Sequence, residues 1–179
     1  MSSGTASRIQ RGNVIPSTAN PLVQPEDLRR TCATWPTGIA VVTSVNAGGA
    51  PVGLAVNSFT SLSLEPPLVL FCAALSSATW PHIRGTGRFA VNVLGAGQQA
   101  VARGFARSGG DKFAGLAWKH QDGLPELDGI AAVLRCSLTA VHPGGDHEIA
   151  VGRVESVDVR GIKPLVFHEG AMRSLTTSA

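Results

Sequence analysis

The stretch AAVLRCSLTAVHPGGDHEIAVGRVESVDV, Ala131–Val159, restricts the fold of this chain more than any other. Its first half alternates apolar and polar residues, which puts Leu134, Cys136, Leu138 and Ala140 on one face of a strand. PGGDHE reads as a turn, and the second half returns as a strand, so the pair predicts an antiparallel hairpin. The apolar phase of the returning strand slips between Val151 and Val154, which predicts a β-bulge near Gly152.

The rest of the chain follows the same style. Pro25-Glu26-Asp27 opens a short helix, with proline suited to the first turn and acids complementing the helix dipole. Leu28, Cys32 and Trp35 fall on one face of it, and Pro36 ends it. Gly38–Val45 and Pro51–Val56 flank the glycine-rich hairpin signal NAGGA. Leu68–Ala73 and Phe89–Leu94 read as buried strands, SSATWPHI as the start of a short helix, Gln98–Phe105 as a helix, and PLVFH as a closing strand. Residues 106–129 read mainly as loop. About six or seven strands joined largely by hairpins, with a few short helices, predict a mainly β antiparallel barrel rather than a parallel sheet.

At 179 residues and 44% hydrophobic, the chain suits one domain with a sizeable core. The polar, aperiodic residues 1–24 read as a flexible N-terminal arm and 25–179 as the domain. The formal net charge is only +3, tyrosine is absent, and no run of lysines and arginines appears. Nucleic acid is therefore not expected as a partner. No segment is long and apolar enough to cross a bilayer, and the amino terminus lacks the apolar stretch of a signal peptide. Cys32, Cys72 and Cys136 are odd in number and far apart, which predicts small buried thiols in a reducing compartment rather than a disulfide framework. A cytoplasmic location is the expectation. The five histidines show no paired metal spacing, so no metal site is expected.

Several catalytic signatures are absent or misleading. FAVNVLGAGQQAVA is a strand, then Gly95-x-Gly97-x-x-Ala100, then a helix, the short form of a dinucleotide-binding fingerprint. No acidic residue ends a second strand about 20 positions on, and only hairpins follow, so this match is discounted. Gly85-Thr-Gly87 precedes a strand instead of following one and reads as a turn. No nucleophile elbow or phosphate-binding P-loop is present.

What stands out instead is polar density. LAVNSFTSLSLEPP crowds Asn57, Ser58, Thr60, Ser61 and Ser63 between two apolar segments, and Ser76, Ser77 and Thr79 follow the next strand. Hydroxyl and amide side chains commonly bond their own backbone where a strand rolls into a turn. Two such clusters near one end of a barrel also form a hollow suited to phosphate. Arg84, Arg88, Arg103, Arg107 and Lys112, opposed only by Asp111, agree with that in sign. A phosphorylated cofactor is the sharper expectation.

WPTGIAVVTS, PVGLAVNSFTSLSLEPPLVLFC, SSATW, FAVNVL, DKFAGL, GGDHEIAVGRV and PLVFHEG, in this order and spacing, resemble the short-chain NAD(P)H:flavin oxidoreductases, the flavin reductase components of two-component monooxygenases. The resemblance covers about residues 26 to 175. It implies a homodimeric, Greek-key-like, FMN-binding split β-barrel that uses NADH or NADPH to reduce FAD or FMN for a separate flavin-dependent monooxygenase. By motif, Asn57, Ser58, Phe59, Thr60 and Ser61 line the ribityl chain and ring edge, and Ser76, Ser77 and Thr79 hold the phosphate. Lys112 and Phe113 reach the phosphate or an adenine. His147, the one residue given a catalytic role, contacts the nicotinamide, with Pro36, Thr37, Gly38 and His168 in the same site. After His168 the chain departs from the family pattern, reading Glu169-Gly170-Ala171, and Arg173 substitutes for the expected cation. A split-barrel flavoenzyme with tightly bound flavin acting on its own substrate, and a non-catalytic flavin- or haem-binding module, remain the alternatives.

Overall fold

The computed structural model describes residues 23–175 together with the two-residue strand Gln10–Arg11. Most of the arm expected over 1–24, and the last four residues of the domain expected over 25–179, lie outside the described residues. In chain order the elements are β1 (Gln10–Arg11), α1 (Pro25–Ala33), β2 (Thr37–Gly38), β3 (Ala40–Val45), β4 (Pro51–Val56), β5 (Thr60–Leu64), β6 (Pro67–Ala74), α2 (Trp80–Thr86), β7 (Arg88–Val93), α3 (Gln99–Ala106), β8 (Trp118–Gln121), β9 (Leu124–Leu127), β10 (Ala132–Gly144), β11 (His147–Val159), β12 (Leu165–His168) and β13 (Ala171–Ser174).

The main sheet runs β4-β3-β7-β10-β11-β6-β5, every neighbouring pair antiparallel, and β1 adds to β10 in parallel. It is rolled, because Leu54 and Val56 of β4 share one interior core with Val69, Phe71 and Ala73 of β6, although four strands separate β4 from β6 in the sheet order. Phe71 and Phe89 meet edge to face at 5.3 Å inside that roll, and Trp80 of α2 caps it against Phe71 at 5.7 Å. Each such ring contributes about 1.5–3 kcal/mol through burial alone. The outer face is covered as well: Ile39, Val41 and Ala90 pack under Phe105 of α3 and under Leu124 and Leu127 of the β8–β9 hairpin. Burial on both faces is why GIAVVTSV and FAVNVL are continuous apolar runs instead of alternating ones.

The long hairpin forms as expected over β10 and β11, and its register is broken twice. Leu138 pairs with Gly152 and Ala140 with Val151, so the extra residue opposite Gly152 is Thr139, on the partner strand. The bulge switches faces, and Val141 rather than Ala140 continues the interior row of Leu134, Cys136 and Leu138. The second break leaves Glu155 unmatched between Cys136–Val154 and Arg135–Ser156. Gly152 itself marks a close approach, since a Cβ there lies 2.4 Å from Phe89 Cζ.

Other differences from the sequence are local. The segment expected as loop over 106–129 contains the β8–β9 hairpin, whose two-residue turn, Asp122 (φ 54) and Gly123 (φ 80), has the Asp-Gly pattern of a type I′ turn. Part of the polar stretch 57–66 is strand β5, and Ala171–Ser174 adds β13 after the closing strand. Helix α1 ends at Ala33, with Trp35 beyond it, and buries none of its residues. Its apolar side is therefore outside the core, Trp35 being 75% exposed. Cys32 is exposed and Cys72 half-buried; only Cys136 is buried as expected, its thiol pushed up to about 12 by burial and by the charge of Glu155. Among the described residues no helix is long and apolar enough to cross a membrane.

Candidate flavin site

The site forms where the roll fails to close by strand pairing. β5 pairs with β6 only as far as Thr60–Leu70, so among the described residues no strand lies beside the outer edge of β6 from Phe71 to Ala74. The chain between β4 and β5 fills the gap with one side chain. Ser58 Oγ accepts from Cys72 N at 2.9 Å and donates to Cys72 O at 3.3 Å. This hydroxyl stands in for a missing strand residue, which leaves room on the outer surface of β6 for a cleft.

That cleft measures about 320 Å³, within the usual range for a small-molecule site. It is lined by Leu54–Ser58 with Cys72 and Ala74, by Ser76–Thr79, and by Phe105–Gly109 with Lys112. His147 stands at the rim, paired with Ala74 across β6 and β11. The two polar clusters of the sequence thus meet at one hollow. Asn57, Ser76 and Thr79 have side chains that hydrogen-bond to no other described residue, whereas Ser77 Oγ accepts from Trp80 N at 3.3 Å. This donor set fits a polyhydroxylated, phosphate-bearing tail.

The remaining expected residues are placed differently. Phe59 packs against the interior core, and Thr60 and Ser61 lie on exposed β5, outside the cleft lining. Phe113 is buried in the outer core and lines a neighbouring hollow of about 190 Å³ that shares Ala78, Thr79, Gly109 and Lys112 with the cleft. Lys112 is at the cleft, but its Nζ donates to Gly53 O at 3.2 Å and Phe105 O at 3.1 Å. Burial pushes its pKa below the ordinary 10.5. Pro36, His168 and Arg173 line a separate hollow of about 280 Å³, and Thr37 and Gly38 form β2 against Phe167 and Val166. The Thr37 hydroxyl is buried with no hydrogen-bond partner among the described residues. His147 is thus the only member of the expected nicotinamide group that faces the cleft.

His147 Nδ1 lies 2.7 Å from Asp146 Oδ1. The hydrogen bond to His147, then its charge, hold the Asp146 carboxyl below its usual value. An ionised carboxylate accepts only, so Nδ1 carries the proton and Nε2 is left for another partner. On the opposite face of the strand, Glu148 accepts from Trp80 Nε1 at 2.7 Å and from Arg84 Nη1 at 3.0 Å, tying the start of β11 to α2.

The wall Phe105–Gly109 did not emerge from the sequence as part of the site, because only its cations drew attention. Gly53 supplied an unused signal: a Cβ there lies 2.5 Å from Phe105 Cε1, so the glycine lets α3 settle against β4 and form this wall. The dinucleotide-like glycines have another cause. A Cβ on Gly95 lies 2.4 Å from Gly129 O, and Gly95 N donates to Gln98 Oε1 at 2.8 Å.

A rolled, largely antiparallel sheet with a polar cleft at its unpaired edge is an open β-barrel with a small-molecule site. Residues 32–176 match the family described as flavin reductase like domain, and the chain belongs to that family. It is an enzyme, a flavin reductase. Among its relatives, the reductase subunit HsaB of a flavin-dependent monooxygenase from Rhodococcus jostii is 43% identical over 150 residues, covering 83% of this chain and 76% of the relative. A flavin reductase of Pseudomonas putida is 40% identical over 150 residues, covering 83% of this chain and 88% of the relative. The structure of the NADH:FAD oxidoreductase SgcE6 of Streptomyces globisporus superposes with a TM-score of 0.81 at 34% identity, covering 91% of this chain and all of that one.

Proposed function

We propose that the cleft binds FAD or FMN, that NADH or NADPH reduces the flavin there, and that the reduced flavin leaves for a separate flavin-dependent monooxygenase. The observation that carries this is the meeting of Asn57, Ser76, Thr79 and His147 around one hollow, drawn from three separate stretches of chain. The names of the relatives, a reductase subunit of a monooxygenase and an NADH:FAD oxidoreductase, support the same reading.

Bound flavin supplies the hydride acceptor and reduced nicotinamide the donor; the protein contributes position and hydrogen bonds. Asn57 and the hydroxyls of Ser76 and Thr79 hold the ribityl phosphate tail. Ser58 keeps the floor in shape by closing the β6 edge. His147 meets the nicotinamide with Nε2 while Asp146 fixes its ring. No strong acid or nucleophile is needed, because the two rings have only to stack within roughly 3–3.5 Å.

We further infer a homodimer. The hollow of Pro36, His168 and Arg173 lies apart from the cleft in one chain, and a second copy that brings its own hollow against the cleft completes a nicotinamide site. The unpartnered Thr37 hydroxyl and exposed Leu28 and Trp35 lie on the elements such a contact covers. A cytoplasmic location suits an enzyme that draws on NADH.

The test is steady-state oxidation of NADH and NADPH by purified protein, without flavin and with FAD or FMN added. Consumption that depends on added flavin is expected. No consumption with either flavin removes the proposal, and a flavin that stays bound through gel filtration transfers it to an enzyme acting on its own substrate.

A further inference from the structure

Of the five cations between Arg84 and Lys112, four are committed elsewhere or lie away from the cleft. Arg84 donates to both oxygens of Glu148, each at 3.0 Å. Arg88 donates to Asp122 O at 3.2 Å and to Glu155 at 3.4 Å. Lys112, the cation that the family resemblance puts on the phosphate or an adenine, spends its ammonium on two backbone carbonyls. Arg103 lies on α3 and lines none of the hollows described above.

Arg107 differs from all of them. It follows the last residue of α3, lines the same cleft as Ser76–Thr79, and its guanidinium has no hydrogen-bond or ion-pair partner among the described residues. The acid of the same loop, Asp111, forms no ion pair with it among the described residues, and its Oδ1 accepts from Phe113 N at 2.9 Å. A planar guanidinium lining one cleft with two hydroxyls unengaged among the described residues has the donors and the charge that a phosphate monoester or diphosphate requires.

We infer that Arg107, not Lys112, is the residue that grips the flavin phosphate, and that Lys112 instead pins the loop carrying Arg107 onto Gly53 and the end of α3. The inference rests on the placement of a phosphorylated flavin in the cleft. It makes the enzyme discriminate FMN and FAD from riboflavin through one solvent-facing arginine.

Binding of FMN and of riboflavin is to be measured without nicotinamide, by flavin fluorescence, on the parent, Arg107→Ala and Lys112→Met. Arg107→Ala is expected to raise the Kd for FMN roughly fivefold to tenfold and to leave the Kd for riboflavin in place. Added salt is expected to erode the parent's preference for FMN and to leave the variant's unchanged. Lys112→Met is expected to weaken both flavins by one factor. The assignment is overturned if Arg107→Ala shifts both flavins alike or neither, or if Lys112→Met alone loses FMN selectively. Because no NADH is present, a parent that grips FMN through Arg107 yet oxidises no NADH sinks the reductase reading and leaves this assignment standing.

Discussion

Ser58 Oγ sits between the two backbone groups of Cys72, accepting from its N–H at 2.9 Å and donating to its C=O at 3.3 Å. One hydroxyl replaces the strand that β5 fails to supply there, and the floor of the cleft depends on it. Ser58→Ala leaves a half-buried donor and acceptor without protein partners. The expected cost is about 1–3 kcal/mol of stability, read by urea unfolding. Faster amide exchange at Cys72 is expected with it, and unchanged exchange there contradicts the role.

Gly152 and Phe89 make a second close relation. A Cβ at position 152 lies 2.4 Å from Phe89 Cζ, and Phe89 is fully buried between Phe71 and the β10–β11 bulge, with nowhere to retreat. Gly152→Ala is expected to cost about 1–3 kcal/mol through overpacking. Double substitution with Phe89→Leu should recover part of the loss, and strictly additive effects in the double-mutant cycle exclude this contact as the cause.

How much of this was legible in the sequence depended on which signal each segment carries. Alternation marked β10 and β11 because one face of each meets the interior, and the slip in phase marked the bulge region. It did not reveal that the extra residue is Thr139, since a bulge shifts register on both strands and one strand's pattern cannot say which side holds it. β5 escaped notice because Thr60–Leu64 is mostly exposed and short, so its serines look like a bend. The β8–β9 hairpin announced itself only through Asp122-Gly123, amid a glycine-rich surrounding that suggested loop. At the site, clustering of Asn57, Ser58 and Ser76–Thr79 was visible as composition. Which hydroxyls are free and which are spent on backbone is a tertiary fact, and so is the capture of Lys112 by two carbonyls.

Glu126 is 1% exposed on β9 and sits between two arginines, Arg135 of β10 and Arg160 beyond β11, with Lys119 Nζ at 3.7 Å. It fastens the β8–β9 hairpin to the sheet. Glu126→Ala leaves the largely buried guanidinium of Arg135 with only Asp122 at 3.6 Å and Ser156 Oγ at 3.3 Å, and is expected to cost about 3 kcal/mol. Glu126→Ala combined with Arg135→Met should cost less than Glu126→Ala alone; a double variant at least as unstable as the single one contradicts the charge argument.

Lys112 predicts a dependence on alkaline pH. Desolvation holds its pKa below 10.5 in the folded state, so between that lowered value and 10.5 the unfolded chain binds more protons than the folded one. The penalty for burying the charge is felt in full below this window and is relieved as pH rises through it. The stability of the parent relative to Lys112→Met is therefore expected to rise with pH across the window, in paired urea titrations. A difference that falls with pH shows that the neutral amine loses the carbonyls of Gly53 and Phe105 faster than the desolvation is relieved.

His147 is the residue through which the proposed hydride donor meets the flavin cleft. Its Nδ1 is held 2.7 Å from Asp146, and its ring lines the hollow beside Ala74. His147→Ala is expected to raise KM for NADH by about threefold to tenfold and KM for flavin by less, since the proposed holders of the flavin tail are Asn57, Ser76 and Thr79. Asp146→Asn keeps an acceptor for Nδ1 through its amide oxygen but no longer favours the proton there, so its effect should be in the same direction and smaller. The Asp146 carboxyl lies below 3.8 in the folded state, so any contribution of its charge is present above that value and is lost only as pH falls below it. The activity profile between about pH 5 and 8 should accordingly be free of a step from Asp146 itself. Equal changes in both KM values for His147→Ala place the imidazole in flavin binding instead.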